Sequence, residues 1–433
     1  MTILLSRRTT QTALPDTPIE PIPVMDLDLD DPSAPPAANA AGQLFALVRR
    51  GGVPLGTVAV LDDHPDGADV DVRALAARRF LATPAQPAGP QPVGDRDAPV
   101  LVTVVVCTLG EDPRLRTAVS SILRQSYRAI EVVVVDNRPE TGSVRALLAD
   151  VDDPRLRIVA ERRRGLSVAR NTGLAASRGD LIAYTDDDAF ADPGWVESLV
   201  LPFRAHPDVM CVTGLVLPAE LVTRAQVLFE EFGGFDKGFT RTVWTTRPDD
   251  GTLSALGARG DGGILFPYSA GVFGSGNNMA FRAGWLREHG AFDVSLGAGS
   301  LTKGGEDLDA FLAVMLADGV LVYEPRALIR HFARSDMDGL RTQMFGYGSG
   351  MSAVIVKHLL RSPRSAMRVL ARVPAGMRRL LDPRSAKNEN RTAEYPKDLK
   401  RAELRGYLAG PKLYLQSRRD ARRRDLNRPA IHG

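Results

Sequence analysis

The stretch VLVTVVVC at residues 100–107 is a continuous run of mostly β-branched residues. Such a run is typical of a strand that is buried on both faces of a sheet. Further helical and apolar stretches alternate after it, at 114–125, 130–135, 144–149, 156–160, 166–176 and 181–184. Strands that alternate with helices at this spacing predict an α/β fold with a mostly parallel central sheet.

The rest of the chain divides by composition. Residues 1–42 are rich in proline and carry an acidic run, so we predict a disordered Pro/Ala-rich tail. Residues 43–83 predict a small N-terminal β-β-α module, and the proline-rich residues 84–99 predict a linker. The α/β domain is then expected to cover residues 100–340, and residues 341–433 to form a basic helical C-terminal region.

The overall composition is that of a globular protein, with 44% hydrophobic and 25% charged residues in a chain of 433. The two cysteines, Cys107 and Cys211, are isolated in apolar stretches, which excludes a disulfide scaffold and favours a reducing cytosol. The sequence shows neither a signal-peptide pattern nor an apolar stretch suited to a membrane helix. We therefore expect a cytoplasmic protein.

The small net charge of +3 conceals a strongly basic C-terminal segment. Residues 351–433 contain 21 Lys and Arg against 7 Asp and Glu, and apolar residues alternate with arginines in their first part. This pattern predicts either a peripheral helix on the anionic inner face of the cell membrane or a helix packed on the domain with a solvated basic face. Because no nucleic-acid-binding module accompanies it, we expect no nucleic-acid partner.

Polar residues follow the predicted strands where a parallel sheet binds its ligands. Asp186, Asp187 and Asp188 come directly after the fourth strand. Three adjacent carboxylates repel one another unless a cation is present, and Mg²⁺ or Mn²⁺ takes carboxylate oxygens readily. The alternative interpretation is a solvated turn or a helix cap.

Three further motifs each allow two interpretations. Arg170 follows a Gly-Leu-Ser helix start and could contact a diphosphate or a base, or it could be a surface arginine. Asn277, in a Gly/Ser/Asn segment, could contact a sugar or belong to a tight turn. Glu306 and Asp307 follow two glycines, and they could provide a general base or simply complement a helix dipole. The Gly- and Asp-rich stretch 230–263 predicts a loop that covers the acceptor.

Taken in order, these segments resemble the family 2 glycosyltransferases with the GT-A fold. The resemblance spans roughly residues 100–335 and is carried by VVVCTLGED, VVVVDN, GLSVARNTG, YTDDDAFADPGW, GSGNNMAFR, GGEDLDAF and ADGVLVYEPRALIRH. Any one of these motifs is weak, but the ordered set is specific.

The resemblance implies a role for each matching residue. Thr108, Glu111 and Asp136 match positions that hold the nucleoside, and Arg170 matches a position beside the donor. Asp186, Asp187 and Asp188 match the DXD region, in which Asp188 binds the metal and Asp186 the ribose or the metal.

The same resemblance assigns the later motifs. Glu306 and Asp307 match the acidic pair whose aspartate serves as the catalytic base. His331 matches a histidine that completes the metal site, although relatives often have a second histidine where this chain has Ala333.

Together these features predict a divalent-metal-assisted transferase that inverts the anomeric carbon. It would use a nucleotide-diphosphate sugar as donor and a glycan, lipid-linked or small-molecule acceptor, with Asp307 as base and Mn²⁺ or Mg²⁺ as cofactor. Two alternatives stay open, namely an inactive nucleotide-sugar-binding scaffold and a nucleotidyltransferase. The acidic residues after the first strand argue against the latter, and the presence of Asp188 and Asp307 argues against the former.

Overall fold

A computed structural model describes most of the chain. The described residues are 2–4, 19–31, 38–61, 71–80, 99–248, 251–263, 265–361, 363–372, 374–376, 378 and 395–426. Most of the predicted linker at 84–99, much of the predicted tail at 1–42 and the basic stretch 379–394 lie outside the described residues.

The N-terminal part of the chain forms a four-stranded sheet that packs on the larger domain. Its elements are β1 (Thr2–Leu4), β2 (Val24–Asp28), β3 (Leu44–Arg50), β4 (Val53–Val60) and helix α1 (Val72–Phe80). The strand order is β1-β4-β3-β2, so the β-β-α pattern expected at 43–83 is present and is extended by two strands. The prediction of disorder for residues 1–42 is wrong for Val24–Asp28, because Met25 and Leu27 are buried between outward-facing aspartates.

The first half of the large sheet follows the predicted alternation of strands and helices. Its elements are β5 (Val102–Thr108), α2 (Leu115–Leu123), β6 (Ile130–Asp136), α3 (Ser143–Leu147), β7 (Leu156–Ala160), α4 (Leu166–Ala176) and β8 (Leu181–Asp186). These four strands are parallel and lie in the order β8-β5-β6-β7. The predicted α/β class and parallel core are therefore confirmed.

The second half widens the sheet with antiparallel neighbours. Its elements are β9 (Ala189–Ala191), α5 (Trp195–Ala205), β10 (Val209–Pro218), α6 (Arg224–Glu231), β11 (Thr242–Trp244), β12 (Ala258–Arg259), β13 (Met279–Arg282), α7 (Ala283–Glu288), α8 (Glu306–Leu316) and β14 (Val320–His331). β13 is antiparallel to both β8 and β10, whereas β10 and β14 are parallel. The predicted loop at 230–263 is only partly a loop, because β11 and β12 form the edge of the sheet.

The central strands are buried on both faces, as their sequence predicts. Val104 and Val106 point into one apolar cluster, and Val105 points into another that includes Ala169 of α4. A β-branched residue at nearly every position is the expected consequence, since neither face of these strands meets water.

The described part of the C-terminal region is largely helical, as the sequence predicts. Its longer helices are α9 (Met337–Arg361), α10 (Pro363–Leu370) and α11 (Lys397–Arg423). α9 packs against both α8 and α11, so this region is continuous with the large domain. No helix among the described residues has the length and apolarity needed to cross a membrane.

Candidate active site

The carboxyl ends of the parallel strands bring the predicted polar residues to one edge of the sheet. Thr108 pairs with Asp136 across β5 and β6, and Cys107 pairs with Asp186 across β5 and β8. Thr108 and Asp136 are buried, and the Thr108 hydroxyl donates to Asp187 over 2.5 Å. The amide of Gly110 in turn donates to Thr108. The backbone register therefore places the predicted nucleoside residues beside the triple aspartate.

Glu111 and Asp136 are linked through one arginine. The Arg138 guanidinium donates to the exposed Glu111 carboxylate, and the Arg138 backbone amide donates to Asp136 Oδ1 at 2.9 Å. Two of the predicted nucleoside residues are thus held by a residue that the sequence alone did not single out.

Asp186, Asp188 and His331 form a group that could hold a metal ion. One potential ligand atom from each residue lies within 4.8 Å of the other two. Asp188 Oδ1 is 3.2 Å from His331 Nε2, and this buried oxygen accepts no hydrogen bond of good geometry from the described residues. Two carboxylates and an imidazole suit Mn²⁺, and the group therefore fits the predicted cation.

The electrostatics of these aspartates reflect crowded negative charge. Burial and the neighbouring Asp188 raise the pKa of Asp186, and burial raises the pKa of Asp187 to about 7. Burial opposes ionisation of Asp188 as well, but His331 outweighs it and lowers the pKa of Asp188. A divalent cation would favour the ionised form of all three carboxyl groups.

Arg170 bridges the two acidic motifs. Its guanidinium is buried, donates to Glu306 Oε1 at 2.8 Å and to the Gly276 carbonyl at 2.9 Å, and lies 3.7 Å from Asp186. Burial raises the pKa of Glu306 to about 7 even though Arg170 opposes this. The predicted contact of Arg170 with a diphosphate stays a prediction, since its charge is already shared between two carboxylates.

Asp307 is held by the backbone at the first turn of α8. Its Oδ2 accepts from the Gly276 amide at 2.9 Å, and its Oδ1 accepts from the Leu308 amide at 2.8 Å. A Cβ on Gly276 would lie 2.9 Å from the Asp307 Cβ, so only glycine permits this approach. The carboxylate is therefore fixed in one orientation but is only half-buried.

A cavity of about 1590 Å³ joins these groups. Asp186, His331, Glu306, Asp307 and Asn277 all line it. The Asn277 Oδ1 atom is buried and has no hydrogen-bond partner within the described part of the chain, so it is available to a ligand. The candidate nucleoside residues do not line this cavity and so form a separate part of the site: Thr108, Glu111 and Asp136.

Three lining residues were not predicted from the sequence. Lys237 opens onto the cavity, where the surrounding protein lowers the pKa of its ammonium while Asp236 and Asp307 oppose this shift. Arg334 is exposed close to Asp186 and Asp188, and Tyr347 of α9 lies near Asp307. Lys237 lies in the loop that was predicted to cover the acceptor, and this position weakly indicated a role in the site. No motif in the sequence indicated Tyr347.

Comparison with known proteins identifies the domain. Residues 103–255 match the family model described as glycosyl transferase family 2. They form a glycosyl transferase family 2 domain. The predicted family is thus confirmed, and the match agrees with the GT-A architecture that the family resemblance implies.

Two curated relatives of the family 2 domain carry glycosyltransferase names. The glucosyl-dolichyl phosphate glucuronosyltransferase of Haloferax volcanii is 36% identical over 146 residues, which cover 32% of this chain and 46% of the relative. The pre-mycofactocin glycosyltransferase of Mycobacterium tuberculosis (strain CDC 1551 / Oshkosh) is 28% identical over 297 residues, covering 66% of this chain and 54% of the relative. The chain therefore spans about half the length of the curated relatives it matches.

Two solved structures show a more distant likeness to the chain. The mannosyltransferase PcManGT from Pyrobaculum calidifontis, in complex with GDP-Man and Mn²⁺, aligns with a TM-score of 0.45 and 20% identity over 82% of this chain and 90% of that one. GalNAc-T7 with UDP, GalNAc and Mn²⁺ aligns with a TM-score of 0.41 and 16% identity over 65% and 55% of the two chains.

Proposed function

We propose that the protein transfers a sugar from a nucleotide-diphosphate donor to an acceptor hydroxyl, with inversion at the anomeric carbon. The observation that carries this proposal is the shared cavity. Asp307 lines the same space as Asp186 and His331, which belong to the candidate metal group. A base and a cation site that face one cavity are what a single displacement requires.

Each residue has a task in this proposal. Asp307 removes the proton from the acceptor hydroxyl, because the Gly276 and Leu308 amides hold its carboxylate toward the cavity. Asp186, Asp188 and His331 would hold Mn²⁺ or Mg²⁺, which when bound neutralises charge on the departing diphosphate. Asn277 contacts the sugar through its unpartnered oxygen. Thr108, Glu111 and Asp136 hold the nucleoside outside the cavity.

The role of Glu306 follows from its partner. Because Arg170 contacts Glu306 as well as the Gly276 carbonyl, Glu306 helps to position the segment that orients Asp307. We assign it this positioning role and leave proton removal to Asp307.

The experiment that tests the proposed function combines a donor screen with one conservative variant. UDP-, GDP- and dTDP-sugars are screened for binding with Mn²⁺, and transfer is then followed as nucleoside diphosphate release with acceptors. Asp307→Asn should lose transfer by a factor of about 10² or more and keep donor affinity close to that of the unaltered protein. Turnover near the normal value in this variant would remove Asp307 from the mechanism.

The product reports on the stereochemistry. An inverting enzyme gives the opposite anomer to that of the donor, and this is read from the anomeric proton coupling in an NMR spectrum. Retention of the donor configuration would contradict the single displacement. Donor binding without any transfer, in a broad acceptor panel, would instead favour the inactive scaffold.

We further propose that α11 holds the protein against an anionic membrane surface. Its outer face carries a stripe of exposed basic and leucine residues at helical spacing, which we call the α11 stripe: Arg401, Arg405, Leu408, Lys412, Leu415 and Arg419. Leu408 is 83% exposed, and exposed leucines flanked by basic residues suit the interface of anionic lipids. The inner face of α11 packs on α9, so the outer face is the one available to lipid.

A further inference from the structure

The cavity beside Asp307 is larger than a sugar-transfer step requires. Typical pockets for small molecules have volumes of about 300–1000 Å³, whereas this one reaches about 1590 Å³. The candidate nucleoside residues Thr108, Glu111 and Asp136 do not line it. The nucleoside therefore does not occupy this space, which is left for the sugar diphosphate of the donor and for the acceptor.

One wall of this cavity is an apolar stripe on α9. It consists of Leu340, Met344, Tyr347, Met351 and Ile355, whose spacing of three and four residues places them on one helix face. At 1.5 Å per residue the stripe is roughly 22 Å long; Leu340 and Met344 are buried in a core cluster, so the part open to a ligand runs from Tyr347 to Ile355 over about 12 Å. Trp244, at the edge of the sheet, lines the same cavity. The wall is thus long and apolar, unlike a subsite built for a sugar ring.

Two cationic groups, Lys237 and Arg334, lie at the reacting centre, whereas the other lining cations Lys303 and Arg372 lie over the rings of Phe345 and Tyr268. Lys237 is close enough to Asp307 for the two charges to interact, and Arg334 interacts in the same way with Asp186 and Asp188. Both side chains line the cavity. The cavity therefore offers cationic and hydrogen-bonding groups at the centre and hydrocarbon contacts along α9.

We infer that the acceptor is an amphiphile with a long hydrocarbon chain, and that this chain lies along the α9 stripe. Its polar head would place a hydroxyl at Asp307, with Lys237 and Arg334 available for an anionic group on the same head. This inference rests on the proposed function, because it assigns the acceptor class of that same site. It is consistent with the exposed leucines of the α11 stripe, which would bring the cavity to the surface where such acceptors reside.

The test uses Trp244 as a reporter and needs no donor. The full-length protein is titrated with 12-bromododecan-1-ol and with 6-bromohexan-1-ol, and quenching of tryptophan fluorescence is measured. Each fully buried methylene strengthens binding by about fourfold, so six more would give about 4000-fold at most, and we expect the longer alcohol to bind at least about 100-fold more tightly. Trp244→Phe should remove most of the saturable quenching, because Trp195 is fully buried in the core and the partly buried Trp285 does not line this cavity.

Two substitutions on α9, each of which introduces a charge, test where the hydrocarbon chain of the ligand lies. Met351→Asp introduces a charge into the cavity wall and should weaken binding of 12-bromododecan-1-ol at least tenfold. Leu360→Asp is the matched control, because Leu360 is exposed on the same helix and does not line this cavity. Equal affinity for both alcohols, or equal quenching in the Trp244→Phe variant, would overturn the inference even if Met351→Asp did not fold. Since no donor is present, these outcomes are independent of the transfer assay.

Discussion

The environment of Arg170 was not predicted from the sequence, although the motif that contains it was recognised. The sequence offered a diphosphate contact or a surface arginine, whereas the structure buries its guanidinium between Glu306 and the Gly276 carbonyl. Its partner Glu306 is 136 positions away along the chain. No local pattern encodes such a pairing, because it depends on how α4 and α8 meet across the sheet edge.

Asp188 is the residue at which the metal proposal can be tested most directly. Asp188→Ala should abolish the Mn²⁺ dependence of nucleoside diphosphate binding, because it removes one of three donor groups that lie within 4.8 Å of each other. Affinity is measured by calorimetry with Mn²⁺ and with a chelator, and folding is checked by the thermal transition.

Asp180→Ala provides the matched control for this variant. Asp180 is exposed just before β8, at the opposite end of the strand from Asp188. Its substitution should leave the Mn²⁺ dependence intact. If Asp188→Ala bound nucleoside diphosphate as tightly as Asp180→Ala did, with and without chelator, the metal assignment would be wrong.

Among the elements, the parallel strands and their helices were predictable and the packing of the C-terminal helices was not. The β-branched runs define β5 and β6 because neither face of these strands meets water. β2 was missed because its aspartates, which face outward, dominate the composition of a short segment. For α9, the sequence showed a basic amphipathic pattern but not that its glycines contact other backbones.

Those glycines hold α9 between two partners. A Cβ on Gly350 would lie 2.6 Å from the Gly304 carbonyl carbon and 2.7 Å from the Gly305 nitrogen. A Cβ on Gly348 would lie 2.1 Å from the Glu403 carbonyl oxygen, and one on Gly406 would lie 2.2 Å from the Phe345 carbonyl oxygen. α9 thus contacts the loop before Asp307 on one side and α11 on the other.

Gly350→Ala should therefore destabilise the protein and impair the site. The added methyl group meets backbone that cannot rotate away, and overpacking of this kind costs about 1–3 kcal/mol. We also expect transfer to fall more than donor binding, since the displaced loop precedes Asp307. Urea unfolding and the transfer assay measure the two effects.

Gly284→Ala is the control for the same chemical change. Gly284 lies in α7, and a Cβ there would meet nothing within 4 Å. Replacing glycine by alanine in a helix usually stabilises by about 0.5–1 kcal/mol. If Gly350→Ala gained stability as Gly284→Ala is expected to, the close packing of α9 would be disproved.

At the scale of the whole molecule, the described helices of the basic region pack on the domain and do not form a detachable tail. Removing the chain after residue 350 would cut α9 next to its contact with Gly304 and Gly305. Membrane binding is better tested by surface substitutions that leave this packing unchanged.

The α11 stripe gives such a test. Replacing Leu408 and Leu415 by Ser should weaken binding to phosphatidylglycerol vesicles several-fold, because two exposed apolar side chains no longer enter the interface. Salt should weaken binding of the unaltered protein by screening its basic residues. Sedimentation with vesicles measures both effects.

The vesicle experiment has two controls, namely vesicles of uncharged phosphatidylcholine and a substitution outside the C-terminal helices. Val222→Ser alters an exposed apolar side chain outside the C-terminal helices and should not change binding. Vesicle binding that is unaffected by salt and by the Leu408 and Leu415 substitutions would reject a membrane role for α11.

The two-sided glycine packing of α9 has a consequence for local opening. Amide hydrogen exchange divides a native protein into units that open together, and close backbone contacts join neighbouring segments into one unit. The loop at Gly304 and Gly305, the middle of α9 and the facing turns of α11 should therefore exchange their amide protons with a common free energy of opening. Any ligand on the outer face of α11 would slow exchange at the turn that carries Asp307, without touching that turn.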